Sequence, residues 1–285
     1  MMGESDTSAA VAARAHQWTG RIDNREETGA FDIVGDVHGC TDELVELLDG
    51  LGYGVEFTGH GESRRAHVDA PRGRRLLLVG DLVDRGPRSP DALRIAMAVV
   101  ESGQGKCVPG NHDAKFLRWL QGRKPTLNHG LDLTVEQMHG EPPEFHARVR
   151  TFLEELPLHV WLDEGRLVVA HAGIREHMIG TYTDEVRRFC LYGDTDGTDS
   201  DGLPIRYHWA LNYGGAPSVV YGHTPLADVG WVNNTLCIDT GCCFGGALTA
   251  LRWPEREVVS VPARAAYAPR RRPPGHPPPR PSRDT

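Results

Sequence analysis

Five short polar clusters follow one another along this 285-residue chain: Gly35-Asp36-Val37-His38-Gly39, Gly80-Asp81-Leu82-Val83-Asp84-Arg85-Gly86, Gly110-Asn111-His112-Asp113, His171-Ala172-Gly173 and Gly222-His223. Each comes directly after a short apolar run: Phe31 to Val34, Leu76 to Val79, Lys106 to Val108, Leu167 to Ala170 and Ser218 to Tyr221. A short apolar run that stops at a Gly-rich turn reads as a buried strand delivering polar side chains at its end. Open α/β sheets place their ligands outside such strand ends. The five clusters are therefore expected to converge.

The residue types suit a pair of divalent cations. Carboxylate, amide-oxygen and imidazole ligands are what hard and borderline cations take, and one shared carboxylate can hold two of them roughly 4 Å apart. Asp36, His38, Asp81, Asn111, His171 and His223 supply such a set, with Asp81 as the expected bridge. The flanking glycines let the backbone turn sharply and come close without a Cβ in the way. Any one cluster alone would be weak; a lone His171 or His223 is more often a satisfied core histidine.

Between the clusters the pattern alternates between strand and helix. Leu44, Leu47, Leu48 and Leu51 share a helical face after a Thr41 cap, with Gly50 and Gly52 ending the helix. Ser89-Pro90 reads as an N-cap followed by Pro at the first helical position, with Leu93, Ala96, Met97 and Val100 facing inward and Gly103 closing the helix. Toward the C-terminus, Ala247 to Trp253 and Val258 to Val261 flank Pro254-Glu255-Arg256, a hairpin signature. The expected fold is α/β, a two-sheet β-sandwich flanked by helices.

The ordered set GDVHG, GDLVDRG, GNHD, HAG and GH resembles the calcineurin-like (PPP-type) metallophosphoesterases, which include protein serine/threonine phosphatases and symmetrical dinucleoside tetraphosphatases. The stretches Leu191 to Asp194, Gly202 to Tyr207, Val220 to Pro225 and Ile238 to Cys242 look more narrowly like the phosphatase module of bacterial polynucleotide kinase-phosphatase, an RNA end-healing enzyme. The resemblance implies in-line attack on phosphorus by a metal-bridging hydroxide, with two ions, Mn²⁺ before Fe, Zn²⁺ or Ni²⁺. It implies a 3′-phosphate or 2′,3′-cyclic phosphate RNA end as substrate, with RNA-repair kinase or ligase partners. Dinucleoside polyphosphates and phosphoproteins are the alternatives, and a catalytically silent phosphate-binding adaptor is a rival of another class.

Roles follow for the rest of the clusters. Arg85 is expected to clamp the phosphate, because a planar guanidinium matches two phosphate oxygens. His112, next to Asn111 and pointing away from it, is the expected general acid, kept protonated by Asp84. Arg206 is a weaker second phosphate contact, in competition with Arg187 and Arg188. Asp239, at the edge of the site in the resemblance, is expected either to orient a ligating histidine or to serve as a plain turn residue. The run Arg64, Arg65, Arg72, Arg74 and Arg75 reads most simply as a solvated loop. Gly103-Gln104-Gly105-Lys106-Cys107 mimics a phosphate-binding loop but lacks its first Gly and terminal Ser/Thr.

Charge bears on the substrate. The formal net charge is −8, and the segment from Pro269 carries five Arg against one Asp, which leaves the remainder near −12. Such a surface argues against binding nucleic acid by broad charge and for gripping an end locally. The six cysteines include no CxxC pair, and the adjacent Cys242 and Cys243 are poorly placed for a mutual disulfide, so a reducing cytoplasm is expected. No apolar stretch is long enough for a membrane span. Residues 1–27 are expected to form a disordered tail, 28–267 the catalytic domain, and 268–285 a disordered Pro/Arg-rich tail.

Overall fold

The computed structural model describes residues 18–200, 204–270 and 273–278. Strands β1 (Ala30–Val34), β4 (Arg74–Leu78), β5 (Gly105–Cys107), β13 (Asp239–Thr240), β14 (Ala247–Trp253) and β15 (Glu257–Pro262) form a six-stranded sheet in the order β13-β14-β1-β4-β5, with β15 also paired to β14. A five-stranded sheet runs β11-β12-β10-β7-β6, from β6 (His159–Leu162), β7 (Leu167–Ala170), β10 (Ser218–Tyr221), β11 (Trp231–Val232) and β12 (Thr235–Cys237). Two hairpins stand apart: β2 (Gly54–Thr58) with β3 (Arg65–Asp69), and β8 (Asp194–Thr198) with β9 (Pro204–Tyr207).

Alternation along the strands builds the sandwich. Phe31 and Ile33 of β1, Leu77 of β4, Val169 of β7, Val220 of β10 and Leu251 of β14 share one cluster between the sheets. Their neighbours Val34, Leu76, Leu78, Val168 and Val219 face outward and are buried under helices. That is the period-two signature of a strand buried on both faces. The helices are α1 (Thr41–Gly50), α2 (Ser89–Glu101), α3 (Asn111–Leu120), α4 (Leu131–His139), α5 (Pro143–Glu155) and α6 (Asp184–Tyr192). The two-sheet sandwich flanked by helices is the expected architecture, and the β14–β15 hairpin is in place.

Four local expectations are corrected. Thr41 is the first residue of α1 rather than its cap; Cys40 precedes it, and the Thr41 hydroxyl donates to the Arg88 carbonyl at 2.8 Å. Ser89 is likewise inside α2, with Arg88 at the cap. The arginine run is solvated only in part: Arg65 and Arg72 are exposed, whereas Arg74 on β4 pairs at 2.8 Å with Asp32, which is fully buried. A buried carboxylate needs such a partner. The expected tails are also shorter. Trp18 is 3% exposed, its amide donates to the Glu154 carbonyl at 2.9 Å, and Asp23 bridges to Trp161, so the residues from 18 onward belong to the domain. At the other end His276 stacks on His208 with ring centroids 4.0 Å apart, and the His208 amide donates to the Pro278 carbonyl at 2.8 Å. Proline has no amide to satisfy, so a Pro-rich strap can lie along a domain with few hydrogen bonds. Residues 1–17, 271–272 and 279–285 of the expected tails lie outside the described residues.

Candidate active site

All five clusters sit at strand ends, after β1, β4, β5, β7 and β10. Because β1, β4 and β5 run parallel, and β7 and β10 run parallel in the facing sheet, their C-terminal ends bring the clusters to one edge of the sandwich. The turns are strained. His38, Asp81, Asp84, Arg85 and His223 all hold left-handed backbone, with φ of 46°, 48°, 75°, 71° and 72°. Non-glycine residues adopt this conformation at a cost, and it concentrates at functional sites. Two glycines provide room: a Cβ on Gly110 would lie 2.0 Å from Asp81 Oδ1, and one on Gly222 would lie 1.9 Å from Asp36 Oδ1.

Asp81 is at the centre. Its Oδ2 lies 3.5 Å from His38 Nε2 on one side and 3.5 Å from His171 Nε2 on the other. Its Oδ1 accepts the His112 amide at 2.9 Å. His171 Nε2 is also 3.1 Å from Asn111 Oδ1 and 3.1 Å from His223 Nδ1. Asp36 Oδ2 accepts the His223 amide at 3.0 Å. The rings of His38 and His171 are fixed through Nδ1, against the Val83 and Val79 carbonyls at 2.9 and 3.0 Å. A carbonyl at Nδ1 selects the tautomer whose Nε2 carries a lone pair, the form that ligates a metal.

Burial reinforces this. It pushes the His38, His171 and His223 imidazoles below their ordinary pKa, with Arg85 adding to the effect at His38 and Arg206 at His223. Each ring is therefore biased toward its neutral, metal-ligating form. Asp36 is pushed well above the carboxylate range by burial and by the like charges of Asp239 and Asp81. Asp81 is also buried, but the surrounding imidazoles of His171, His112, His38 and His223 outweigh that and hold it low.

The donor set fits two cations. Asp36 Oδ1 and His223 Nε2 are buried without a hydrogen-bond partner, an arrangement that is costly unless something takes up their lone pairs. Asp81 belongs to two clusters of potential ligands, one with His38 and His112 and one with His171 and His223, their ligating atoms within 4.8 Å.

A second group stands beside these. His112 Nδ1 is 2.6 Å from Asp84 Oδ2, and its Nε2 accepts from Arg85 Nη2 at 2.8 Å. Arg85 Nη1 reaches His38 Nε2 at 2.6 Å, and the guanidinium lies over the Phe244 ring at 4.9 Å. The Asp84 carboxylate is fixed by Thr134 of α4, whose hydroxyl donates to Oδ1 at 2.7 Å. Arg206, on β9, lines a small pocket with His223, His208 and His276. Arg187 and Arg188 are both on α6, where Arg187 pairs with Asp184 at 3.3 Å.

Asp239 takes the turn role, one of its two expected ones. Its Oδ1 accepts the Gly241 amide at 2.9 Å, as a turn aspartate does, while its charge acts on Asp36. Two contributors were missed by sequence reasoning. Asp113 ties the second and third clusters by accepting from the Leu82 and Gly110 amides at 2.9 and 2.8 Å, and its place in GNHD was the available signal. Thr134 had none, being one helical residue 50 positions from Asp84.

The model of the calcineurin-like phosphoesterase family matches residues 30–252, which include every candidate site residue. The chain is 47% identical over 239 residues to the asymmetrical bis(5′-nucleosyl)-tetraphosphatase PrpE of Halalkalibacterium halodurans, covering 82% of this chain and 94% of that one. It is 43% identical to the PrpE of Bacillus subtilis, covering 84% and 96%. Among solved structures, a putative diadenosine tetraphosphatase superposes with a TM-score of 0.61 at 25% identity, covering 86% of this chain and 99% of that one. A protein serine/threonine phosphatase from Saccharomyces cerevisiae shares the fold, with a TM-score of 0.58 at 12% identity over 90% of this chain and 87% of that one. These relatives do not carry the narrower resemblance to an RNA end-healing module. The chain belongs to the calcineurin-like phosphoesterase family and is a metal-dependent phosphoester hydrolase.

Proposed function

We propose that this chain hydrolyses dinucleoside tetraphosphates asymmetrically, breaking an off-centre phosphoanhydride to give products with unequal phosphate counts. The observation that carries this reading is the 47% identity to an asymmetrical tetraphosphatase across 94% of that enzyme's length. The RNA-end reading rests on loop-segment resemblance alone. Asp36, His38, Asp81, Asn111, His171 and His223 would hold two divalent cations, with Mn²⁺ as the proposed pair. Bound there, the cations would acidify a water to give the nucleophile and offset phosphate charge.

The chain's own residues do the rest. Arg85 presents two guanidinium N–H groups on the same side as the His38 and His112 rings, a spacing that suits two oxygens of one phosphate. Arg206, beside His223, takes a further phosphate of the chain. His112 is held at Nδ1 by Asp84, so Nε2 is the atom that hands a proton to the departing oxygen. In an anhydride the leaving group is itself a phosphate, a weaker base than an alkoxide, so this proton matters less than in a monoester.

The test offers a dinucleoside tetraphosphate, 3′-phosphorylated RNA, 2′,3′-cyclic phosphate RNA and a phosphopeptide at equal concentration with Mn²⁺, and separates the nucleotide products by chromatography. The expected result is preference for the tetraphosphate, with a nucleoside triphosphate and a monophosphate in equal amounts. Two diphosphates, or preference for RNA or the phosphopeptide, would overturn it.

A further inference from the structure

We infer that Cys40, Glu43 and Cys242 form a separate site for a thiophilic divalent cation such as Zn²⁺, next to the catalytic loops and distinct from the candidate cation pair. The Sγ atoms of Cys40 and Cys242 and a carboxylate oxygen of Glu43 lie within 4.8 Å of one another, and all three residues are buried. Ligands around a tetrahedral zinc with Zn–S bonds of about 2.3 Å sit roughly 3.8 Å apart, so closing on an ion requires a contraction of about 1 Å at most.

The carboxylate has one spare oxygen. Glu43 is 0% exposed, and its Oε1 is occupied by the Arg264 amide at 2.9 Å and the Tyr267 hydroxyl at 2.7 Å. Its Oε2 is buried with no hydrogen-bond partner. A carboxylate oxygen left bare inside a protein is unfavourable, whereas a cation shared with two thiolates satisfies it. Cys243 does not compete for the place, because its Sγ is turned to Arg85 Nη1 at 3.9 Å. With three protein ligands, the fourth position falls to water.

Ligand softness separates this site from the catalytic one. The catalytic set offers only nitrogen and oxygen, which Mn²⁺ accepts; two thiolates and a carboxylate favour Zn²⁺ or Co²⁺. The position also has a structural consequence. Cys40 immediately precedes α1 and follows the His38-Gly39 turn, Glu43 lies in the first turn of α1, and Cys242 follows the Asp239 turn. An ion held by all three would fasten the loop that carries Asp36 and His38 to the turn beneath Arg85 and, through Glu43, to the Arg264–Tyr267 segment.

Cobalt reads this site alone, since thiolate-to-Co²⁺ charge transfer in the near ultraviolet requires sulfur ligands. Full-length protein would be purified with reductant, stripped with chelator and titrated with Co²⁺, with metal counted by mass spectrometry. The expected result is a charge-transfer band whose final intensity corresponds to one thiolate-bound Co²⁺ per chain, abolished by Zn²⁺ and by Cys40→Ser or Cys242→Ser, weakened in Glu43→Gln, and kept in Cys107→Ser. Glu43→Gln retains an acceptor for Arg264 and Tyr267, so it guards against loss through misfolding; circular dichroism checks all four variants. Absence of the band in folded protein, or its persistence in both cysteine variants, would overturn the inference. So would a Cys40–Cys242 disulfide in protein isolated without reductant, which would make the cluster a redox pair.

Discussion

His112 has two neighbours that ask different things of it. Asp84 at Nδ1 favours a ring that can carry a second proton, while the Arg85 N–H at 2.8 Å from Nε2 favours a ring with a lone pair there. A phosphate that draws the Arg85 N–H groups onto its own oxygens removes the second demand, leaving Nε2 free to bear the transferable proton. Binding and acid catalysis are thereby linked at one residue. His112→Asn should keep its metal content and lose about 10²–10⁴-fold in kcat on an alkyl phosphate. The loss should be much smaller on nitrophenyl phosphate and on a dinucleoside tetraphosphate, whose leaving groups need little protonation. Equal losses on all three substrates would remove His112 from the role of general acid. The convergence of Asp36, His38, Asp81, Asn111, His171 and His223 at one edge was legible in the sequence because each follows an apolar strand. Thr134 was not, since a threonine inside a helix has the same local signature whether or not its hydroxyl meets Asp84. Asp239 was left open for a related reason: a turn aspartate and a histidine-orienting one look alike until the hydrogen bond to Gly241 is seen.

Strands were easier to read than helix starts. The five site-bearing strands lie within a residue or two of the apolar runs, because burial on both faces leaves a continuous hydrophobic signal. The starts of α1 and α2 moved because Thr41 and Ser89, good capping residues in isolation, spend their hydroxyls on the Arg88 carbonyl and on Thr134. One element carries a measurable pH dependence. His159, on the edge strand β6, is fully buried, its Nε2 accepts the Gly180 amide at 3.0 Å, and its Nδ1 has no partner. Burial lowers its pKa from 6.5 to about 4. The unfolded chain then binds a proton that the folded chain refuses between those values, so stability is full above pH 6.5 and falls as pH drops toward 4. A shift of this size corresponds to roughly 3 kcal/mol at its limit. Urea unfolding of His159→Gln, which keeps an acceptor for Gly180, should show a shallower decline over that window than the parent protein. An unchanged slope would mean that the site relaxes to admit the charge.

Over the whole molecule, charge and chain ends are joined. The Pro/Arg-rich C-terminal segment is the basic part of an acidic protein, and composition alone suggested that it would stay off the domain. Instead, residues 273–278 lie across the side of the site that holds Arg206 and His223. Gly275 donates to the Pro225 carbonyl at 3.1 Å, His276 stacks on His208, and His276 and Pro277 wall a pocket of about 20 Å³ that includes both site residues. Arg270 lies over the face of Phe244 at 5.3 Å, and Arg85 lies over the same ring at 4.9 Å. A cavity of this size admits a water but not a nucleoside, so a nucleoside entering this pocket would have to displace the strap. A small ester needs only the metals, Arg85 and His112, which the strap does not touch. Deleting residues 273–285 should therefore lower KM severalfold for a dinucleoside tetraphosphate while leaving kcat and KM for nitrophenyl phosphate unchanged. His276→Ala in the full-length chain should reproduce part of the effect, because it removes the stacking contact and keeps the chain. Steady-state kinetics on the two substrates decide the matter: a rise in KM for the tetraphosphate on deletion would mean that the strap forms part of the nucleotide site, and a loss on both substrates would mean that it supports the fold.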